Sequence, residues 1–379
     1  MSSSPQIGLA ILGAGIFATE AWIPAISAAL VQHPHHHLKA VYSRSEKSAQ
    51  ELSSKATQAL KPRLSPSPTV YHDSGDEACN LDALLARSDI QAVIVVLPIT
   101  VQPKIVLKAL EAGKHVLSEK PVAADVKQGV ELIRVYNDKY KPRGLIWKVA
   151  ENYEAEPGYR KAAELVREGR IGQLIQFKAV VEVNVTQESK YYKTSWRTVP
   201  DYQGGFLLDG GVHTAAVLRT VIPSAITHIS SFASLNKEYL APHDSIHAIV
   251  KAGPQIHGTA SFTFAWPTKS TASSEDFIFT GTKGWLSITD TWDTEEGRVK
   301  LKIVTRKSED SDEETEEVIE EAFNGVTAEL VNFLKAVEGK DELGLGDPAG
   351  ALKDVAFIEA ALNSNGAVID ITNLVPAGL

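Results

Sequence analysis

The chain has 379 residues, 44% apolar and 22% charged, with 38 basic against 47 acidic side chains. A formal net charge of −9 argues against nucleic acid as the main partner, and Cys79, the only cysteine, allows no internal disulfide. No run of about 18 apolar residues exists, so no membrane-spanning helix is expected. The serine-rich start resembles neither a secretory nor a mitochondrial leader, which together with the cysteine usage points to the cytoplasm. At this length two domains are expected.

The first segment, Ile7-Gly8-Leu9-Ala10-Ile11-Leu12, is an apolar run that reads as a buried strand. It enters Gly13-Ala14-Gly15-Ile16-Phe17-Ala18, a G-x-G-x-x-A turn ahead of helical periodicity. Gly13 suits the tight turn, Gly15 lets backbone approach a pyrophosphate, and Ala18 lets the helix pack close to the strand. Gly13, Gly15, Ile16 and Phe17 are therefore candidate dinucleotide contacts, with helix N–H groups facing the phosphates. Pro24 predicts a break near Ile23 and a restart with Pro24 in the first turn.

Further strands are predicted over 38–42, 69–72, 92–97, 115–118 and 145–149, with helices such as 101–112 and 123–140 between them. This alternation predicts a doubly wound parallel sheet over residues 1–150. His33, His35, His36 and His37 lie in the first connection with no acidic or cysteine neighbour; they read as an exposed polar connection, and no metal site is expected. The second strand ends Val41-Tyr42-Ser43-Arg44-Ser45, with no acid at its tip. Ser43 and Arg44, with Lys47 one turn on, suit a 2′-phosphate, so NADP(H) is favoured over NAD(H). Leu97 and Pro98 after the fourth strand, and Gln102, are placed beside the cofactor. The fifth strand ends Glu119-Lys120-Pro121. Ligands of such sheets sit at the carboxyl ends of the strands, which puts Glu119 and Lys120 in the cleft, Lys120 as a buried lysine able to exchange a proton near neutrality.

From about residue 150 the rhythm changes. A helix follows Pro157 and stops before Gly169, with Tyr159, Ala162, Ala163 and Val166 as its apolar stripe. Strands over 174–185, 227–233, 245–250, 258–265, 276–280 and 285–288 follow, with Gly281–Gly284 as a hairpin turn and the acidic run 308–321 as a solvated loop or helix start. Helices over 328–338 and 350–363 close the chain, the last expected to pack on the first domain. Residues 151–379 thus read as an α+β domain with a large, mostly antiparallel open sheet. That open face would be an apolar patch if bare, so a homodimer or homotetramer through it is expected.

The run Gly204-Gly205-Phe206-Leu207-Leu208-Asp209-Gly210-Gly211-Val212-His213 puts Asp209 and His213 four apart, on one face of a helix, where carboxylate and imidazole suit proton handling. Gly210 and Gly211 disfavour a helix and imply close approach by the cofactor or by another element. Asn152 is placed beside the cofactor; Trp196 and Arg197 either do the same or form a packed aromatic with a surface Arg.

The GAGIFA turn, the Glu119-Lys120-Pro121 triplet and the GGFLLDGGVH helix resemble the glucose–fructose oxidoreductase / inositol dehydrogenase / MocA family over nearly the whole chain. More narrowly, Tyr192 to His213 resembles its fungal NADP(H)-dependent members. The resemblance implies Lys120, Asp209 and His213 at a substrate site. It implies hydride transfer between nicotinamide C4 and a carbonyl or hydroxyl carbon of a small, sugar-like or other carbonyl substrate. His213 would be the proton donor and Lys120 the fixed charge, with the reverse assignment open. The family often carries His where Gln102 stands, and Gln102 cannot titrate, so only a structural or cofactor-side role falls to it. A non-enzymatic regulator of the galactose-repressor type and an NAD-dependent enzyme of the same fold are the alternatives.

Overall fold

The computed structural model describes residues 6–61, 67–272, 276–293, 296–308, 312–341 and 343–379. The chain divides into two compact units. The first takes the chain up to Ala123 with Gln128–Glu151 and Val326–Gly350; the second takes Ala124–Lys127, Asn152–Gly325 and the chain from Ala351.

In the first unit six strands pair in parallel: β1 (Gly8–Leu12), β2 (His37–Ser43), β3 (Thr69–His72), β4 (Ala92–Val95), β5 (His115–Glu119) and β6 (Trp147–Ala150). Their order, β3-β2-β1-β4-β5-β6, reverses between β1 and β4, which opens a crevice at the carboxyl ends of those two strands. β1 and β4 are buried along their length, as helices on both faces require. Leu9 and Ile11 share a core with Trp22 and Ile26 and with Leu330, Phe333 and Leu334 of the helix Gly325–Val337.

Helix Pro348–Asn363 belongs from Ala351 on to the second unit, where Phe357 stacks on Phe262 and Asp354 takes both forks of Arg219 at 2.8 Å. Both helices are apolar, and sequence alone does not say which core each enters. At Pro24 the expected restart is present, without a gap in the helix. Wide i+5 turns over Ala18–Trp22 run directly into Ile23–Gln32, with Ile23 N–H donating to Ala18 O. Pro24 sits in the first α-turn, where its missing N–H costs nothing. Nor is the histidine connection simply exposed, because His36 is buried.

The second unit is built on nine strands: β7 (Leu174–Glu182), β8 (Ile226–Ser234), β9 (Ser245–Ala252), β10 (Ile256–Thr263), β11 (Phe277–Gly281), β12 (Gly284–Asp293), β13 (Glu296–Arg306), β14 (Glu314–Ala322) and β15 (Ile369–Asp370). Their order is β14-β13-β12-β11-β7-β10-β9-β8-β15, antiparallel except where β7 pairs with β10. The hairpin at Gly281–Gly284 joins β11 to β12. β13 and β14 escape the sequence reading. From Glu314 the acidic run is an edge strand, with Lys302 pairing with Glu316 at 2.9 Å across the ladder; residues 309–311 of that run lie outside the described residues. On the uncovered face Ile175, Phe232 and Ile249 are exposed.

Candidate active site

In the first unit the glycine turn is shaped by two different demands. Gly13 has φ +118°, and a Cβ there would lie 2.0 Å from Val96 O, so the fold itself requires glycine. Its N–H donates to Tyr42 O at 2.8 Å and fixes the turn against β2. A Cβ at Gly15 would meet nothing within 4 Å. Among the described residues no neighbour asks for glycine at 15, which fits a position kept small for an approaching pyrophosphate. Ile16 and Phe17 open the helix, so its first N–H groups face the same end of the sheet.

At the tip of β2, Ser43 is half-buried and Arg44 is exposed. Ser45 accepts from Ser48 N–H as the N-cap of the next helix, Glu46–Ala59, and Lys47 pairs with Glu51 at 4.0 Å. The neighbouring acid, Asp73, accepts from the Tyr42 phenol at 2.5 Å, while burial and that carboxylate push the phenol's pKa up. The groups at the tip are a hydroxyl and a guanidinium.

The end of β5 is held by a residue that does not titrate. Gln102, 1% exposed, donates from Nε2 to Glu119 O at 2.5 Å and to Pro121 O at 3.1 Å. It clamps the backbone on both sides of the half-buried Lys120. Its own Oε1 is buried without a hydrogen-bond partner among the described residues. Glu119 accepts from Trp22 Nε1–H at 2.7 Å. Pro98 O accepts from the N–H groups of Val101 and Gln102, and a Leu97 methyl borders the Gly13 turn. The β1, β2, β4 and β5 ends thus gather Gly13, Gly15, Ser43, Arg44, Leu97, Pro98, Gln102, Glu119 and Lys120 along one edge of one sheet.

In the second unit the helix Phe206–Val221 carries Asp209 and His213 one turn apart. Gly204 and Gly205, at φ +72° and +54°, turn the chain into it. Asp209 accepts from Arg197 Nε at 2.6 Å, and the guanidinium lies 3.9 Å over the Trp196 ring and 5.2 Å over Tyr191. The His213 ring stacks on Tyr153 with centroids 4.5 Å apart and planes 21° apart. Tyr153 follows Asn152 in the short helix Asn152–Ala155. The helix glycines have a protein explanation: a Cβ at Gly210 would lie 2.7 Å from the Phe264 ring, and one at Gly211 3.0 Å from Ile358. Another element, not a cofactor, makes that close approach. The unit therefore presents an imidazole with its ring face fixed, one helical turn from a carboxylate held by a guanidinium.

Two models of one family match the chain in succession: "Oxidoreductase family, NAD-binding Rossmann fold" over residues 7–142 and "Oxidoreductase family, C-terminal alpha/beta domain" over 163–368. The chain belongs to the GFO/IDH/MocA oxidoreductase family. Dehydrogenase FPY6 of Fusarium mangiferae is 38% identical over 363 residues, covering 95% of this chain and 96% of that protein. A dTDP-3,4-didehydro-2,6-dideoxy-alpha-D-glucose 3-reductase of Streptomyces violaceoruber is 26% identical, with 74% of this chain and 78% of that protein covered. Among solved structures, an oxidoreductase of Thermotoga maritima superimposes with a TM-score of 0.79 at 31% identity, covering 98% of this chain and all of that one. As a GFO/IDH/MocA member the protein is a dinucleotide-dependent oxidoreductase.

Within this GFO/IDH/MocA chain some polar side chains carried no sequence signal. Tyr159, buried, donates to both carboxylate oxygens of Asp290 at 2.9 and 2.8 Å. Burial pushes Asp290 up to about 7, against the hydrogen bond from Tyr159. Glu156 is likewise raised to about 7 by burial, although it accepts the N–H groups of Asn324 and Gly325 at 3.0 and 2.9 Å. These contacts join residues more than 130 positions apart, and no local pattern announces them. Among the described residues no helix is long and apolar enough to cross a membrane.

Proposed function

We propose that the protein is an NADP(H)-dependent dehydrogenase or reductase acting on a carbonyl or hydroxyl carbon of a small, sugar-like substrate. The observation that carries the cofactor choice is the tip of β2: Ser43 and Arg44 stand where an NAD site usually carries an acid, and the nearby Asp73 is engaged by Tyr42. A guanidinium there pairs with a dianionic 2′-phosphate through its fork of N–H groups, with Lys47 adding charge. When bound, the cofactor supplies or accepts hydride at nicotinamide C4.

The chain's own residues supply the rest. In the reducing direction the substrate oxygen gains negative charge and must be protonated. His213 is the proton donor, its ring plane set by Tyr153, and Asp209, anchored by Arg197, stands one helical turn before it. Lys120 contributes positive charge toward the developing alkoxide, its backbone fixed by Gln102. Asn152, Leu97, Pro98 and Glu119 serve the cofactor, while Trp196 acts through its stacking on Arg197. The sugar-like class rests on the aromatic faces of Tyr153, Tyr191 and Trp196 and on the sugar-nucleotide 3-reductase among the relatives. Ile175, Phe232 and Ile249, exposed on the open face of the nine-stranded sheet among polar residues such as Gln176, Lys178 and His247, support a homodimer or homotetramer through it.

The test is NADPH oxidation against a panel of keto-sugars and simpler carbonyl compounds by wild type, Lys120→Met and His213→Ala. Each substitution is expected to lower kcat by at least about a hundredfold, in the range general acid catalysis supplies. Turnover within a few-fold of wild type in both variants overturns the assignment.

A further inference from the structure

The connection His33-Pro34-His35-His36-His37 sits between the first helix and β2, with no acid near it in sequence. The fold brings one. Glu338, immediately after the helix Gly325–Val337, places its carboxylate among the rings. One ligand atom each from His33, His35, His36 and Glu338 lies within 4.8 Å of the others. His35 Nε2 is 3.1 Å from Glu338 Oε1, and so is His36 Nε2. The Glu338 and His36 side chains are almost fully buried, whereas His35 is 35% exposed.

The four groups are not equivalent. His36 Nδ1 accepts from Ile7 N–H at 3.1 Å, so a neutral His36 carries its proton on Nε2, the atom beside Glu338. A ring in that state turns an N–H and not a lone pair toward the carboxylate, so it is not itself a ligand. The His33 ring stacks on His36, 5.7 Å between centroids and 12° between planes, and His35 lies 4.0 Å from His36. Two imidazoles and a carboxylate therefore converge in front of a fixed third imidazole.

We propose that His33, His35 and Glu338 form a binding site for a divalent transition cation of the zinc class, with His36 as the positioning residue behind Glu338. Two nitrogens and one carboxylate oxygen are a borderline donor set that suits zinc and does not suit magnesium or calcium. Tetrahedral zinc places neighbouring ligand atoms roughly 3.3 Å apart.

The place of the cluster says what the ion does. It lies before the first residue of β2, and Arg44 follows the last, about 20 Å away along the strand. The ion ties the connection ahead of β2 to the segment after Val337, both in the first unit. It is a structural clamp remote from the nucleotide end of the sheet, and NADPH turnover does not depend on it.

The test uses the tag-free full chain, stripped with EDTA and dialysed, then titrated with zinc chloride by calorimetry. One saturable site per chain is expected, together with a rise in melting temperature that EDTA reverses and magnesium does not reproduce. His35→Ala and Glu338→Gln are each expected to weaken zinc binding at least about tenfold, while His37→Ala leaves it unchanged. Cobalt added to wild type is expected to give the visible absorption of a four-coordinate site, a readout independent of how the variants fold. Absence of a saturable site at millimolar zinc, or equal zinc affinity in wild type, His35→Ala and Glu338→Gln, overturns the proposal and leaves the cluster as a set of histidine–carboxylate ion pairs.

Discussion

Arg197 donates from Nε to Oδ2 of Asp209 over 2.6 Å, and the side chains are only 15% and 9% exposed. The pair joins the short helix Ser195–Thr198 to the first turn of the helix that carries His213. A carboxylate in a first turn is already favoured by the helix N-terminus, and the guanidinium fixes which way it points.

Removing the guanidinium takes away the Arg197 half of a largely buried pair. Arg197→Met is expected to cost about 3 kcal/mol of stability, as loss of one partner of a buried pair does, and to lower kcat/KM by tenfold or more. Arg197→Lys is expected to recover part of the stability and less of the activity, because a lysine cannot stack as a plane on Trp196. Thermal melts and steady-state kinetics on the three proteins check this; a Met variant with wild-type melting and kinetics contradicts it.

Gln102 makes a second prediction. Its amide is the donor shared by Glu119 O and Pro121 O, and Gln102→Leu removes one buried hydrogen bond from each carbonyl. A destabilisation of about 1–3 kcal/mol is expected. If the clamp positions Lys120, kcat falls while the dissociation constant for NADPH changes little. Fluorescence titration of the nucleotide beside steady-state kinetics separates the two, and a variant with unaltered kcat shows the clamp to be structural only.

Stability should depend on pH through Glu156 and Asp290. Their ordinary values are 4.5 and 3.8, and burial raises both to about 7 in the folded chain. Between those values the folded state binds more protons than the unfolded one, so stability falls as pH rises. This contribution is fully present below about pH 4 and is lost as pH passes 7. Urea denaturation at pH 5 and pH 8 reads it: Glu156→Gln is expected to lose less stability between the two than wild type. An equal or larger loss in the variant shows that Glu156 does not titrate in this window.

How much of this was legible in the sequence follows from the range of each contact. The first-unit strands announce themselves because burial on both faces makes continuous apolar runs such as Ala92–Val95, bounded by turns. β13 and β14 do not, because an edge strand with Glu on most positions resembles a solvated segment until its partner strand is known. Asp209 and His213 are visible through a four-residue spacing on one helix. Arg197 on Asp209 is not, since a loop of no regular pattern returns the guanidinium to the helix. Glu338 meets His35 across 303 residues, a distance over which only the folded chain can bring a carboxylate to an imidazole. Gly210 and Gly211 were legible as a close approach, but only the structure identifies Phe264 and Ile358 as what approaches.

The most direct test of the proposed cofactor chemistry is kcat/KM for NADPH and NADH, measured on wild type and Arg44→Ala with one carbonyl substrate. A wild-type preference for NADPH of at least about tenfold is expected, with Arg44→Ala removing most of it, as loss of a charge-assisted pair to phosphate requires. Equal use of the two cofactors by wild type, or a preference that Arg44→Ala leaves intact, contradicts the account.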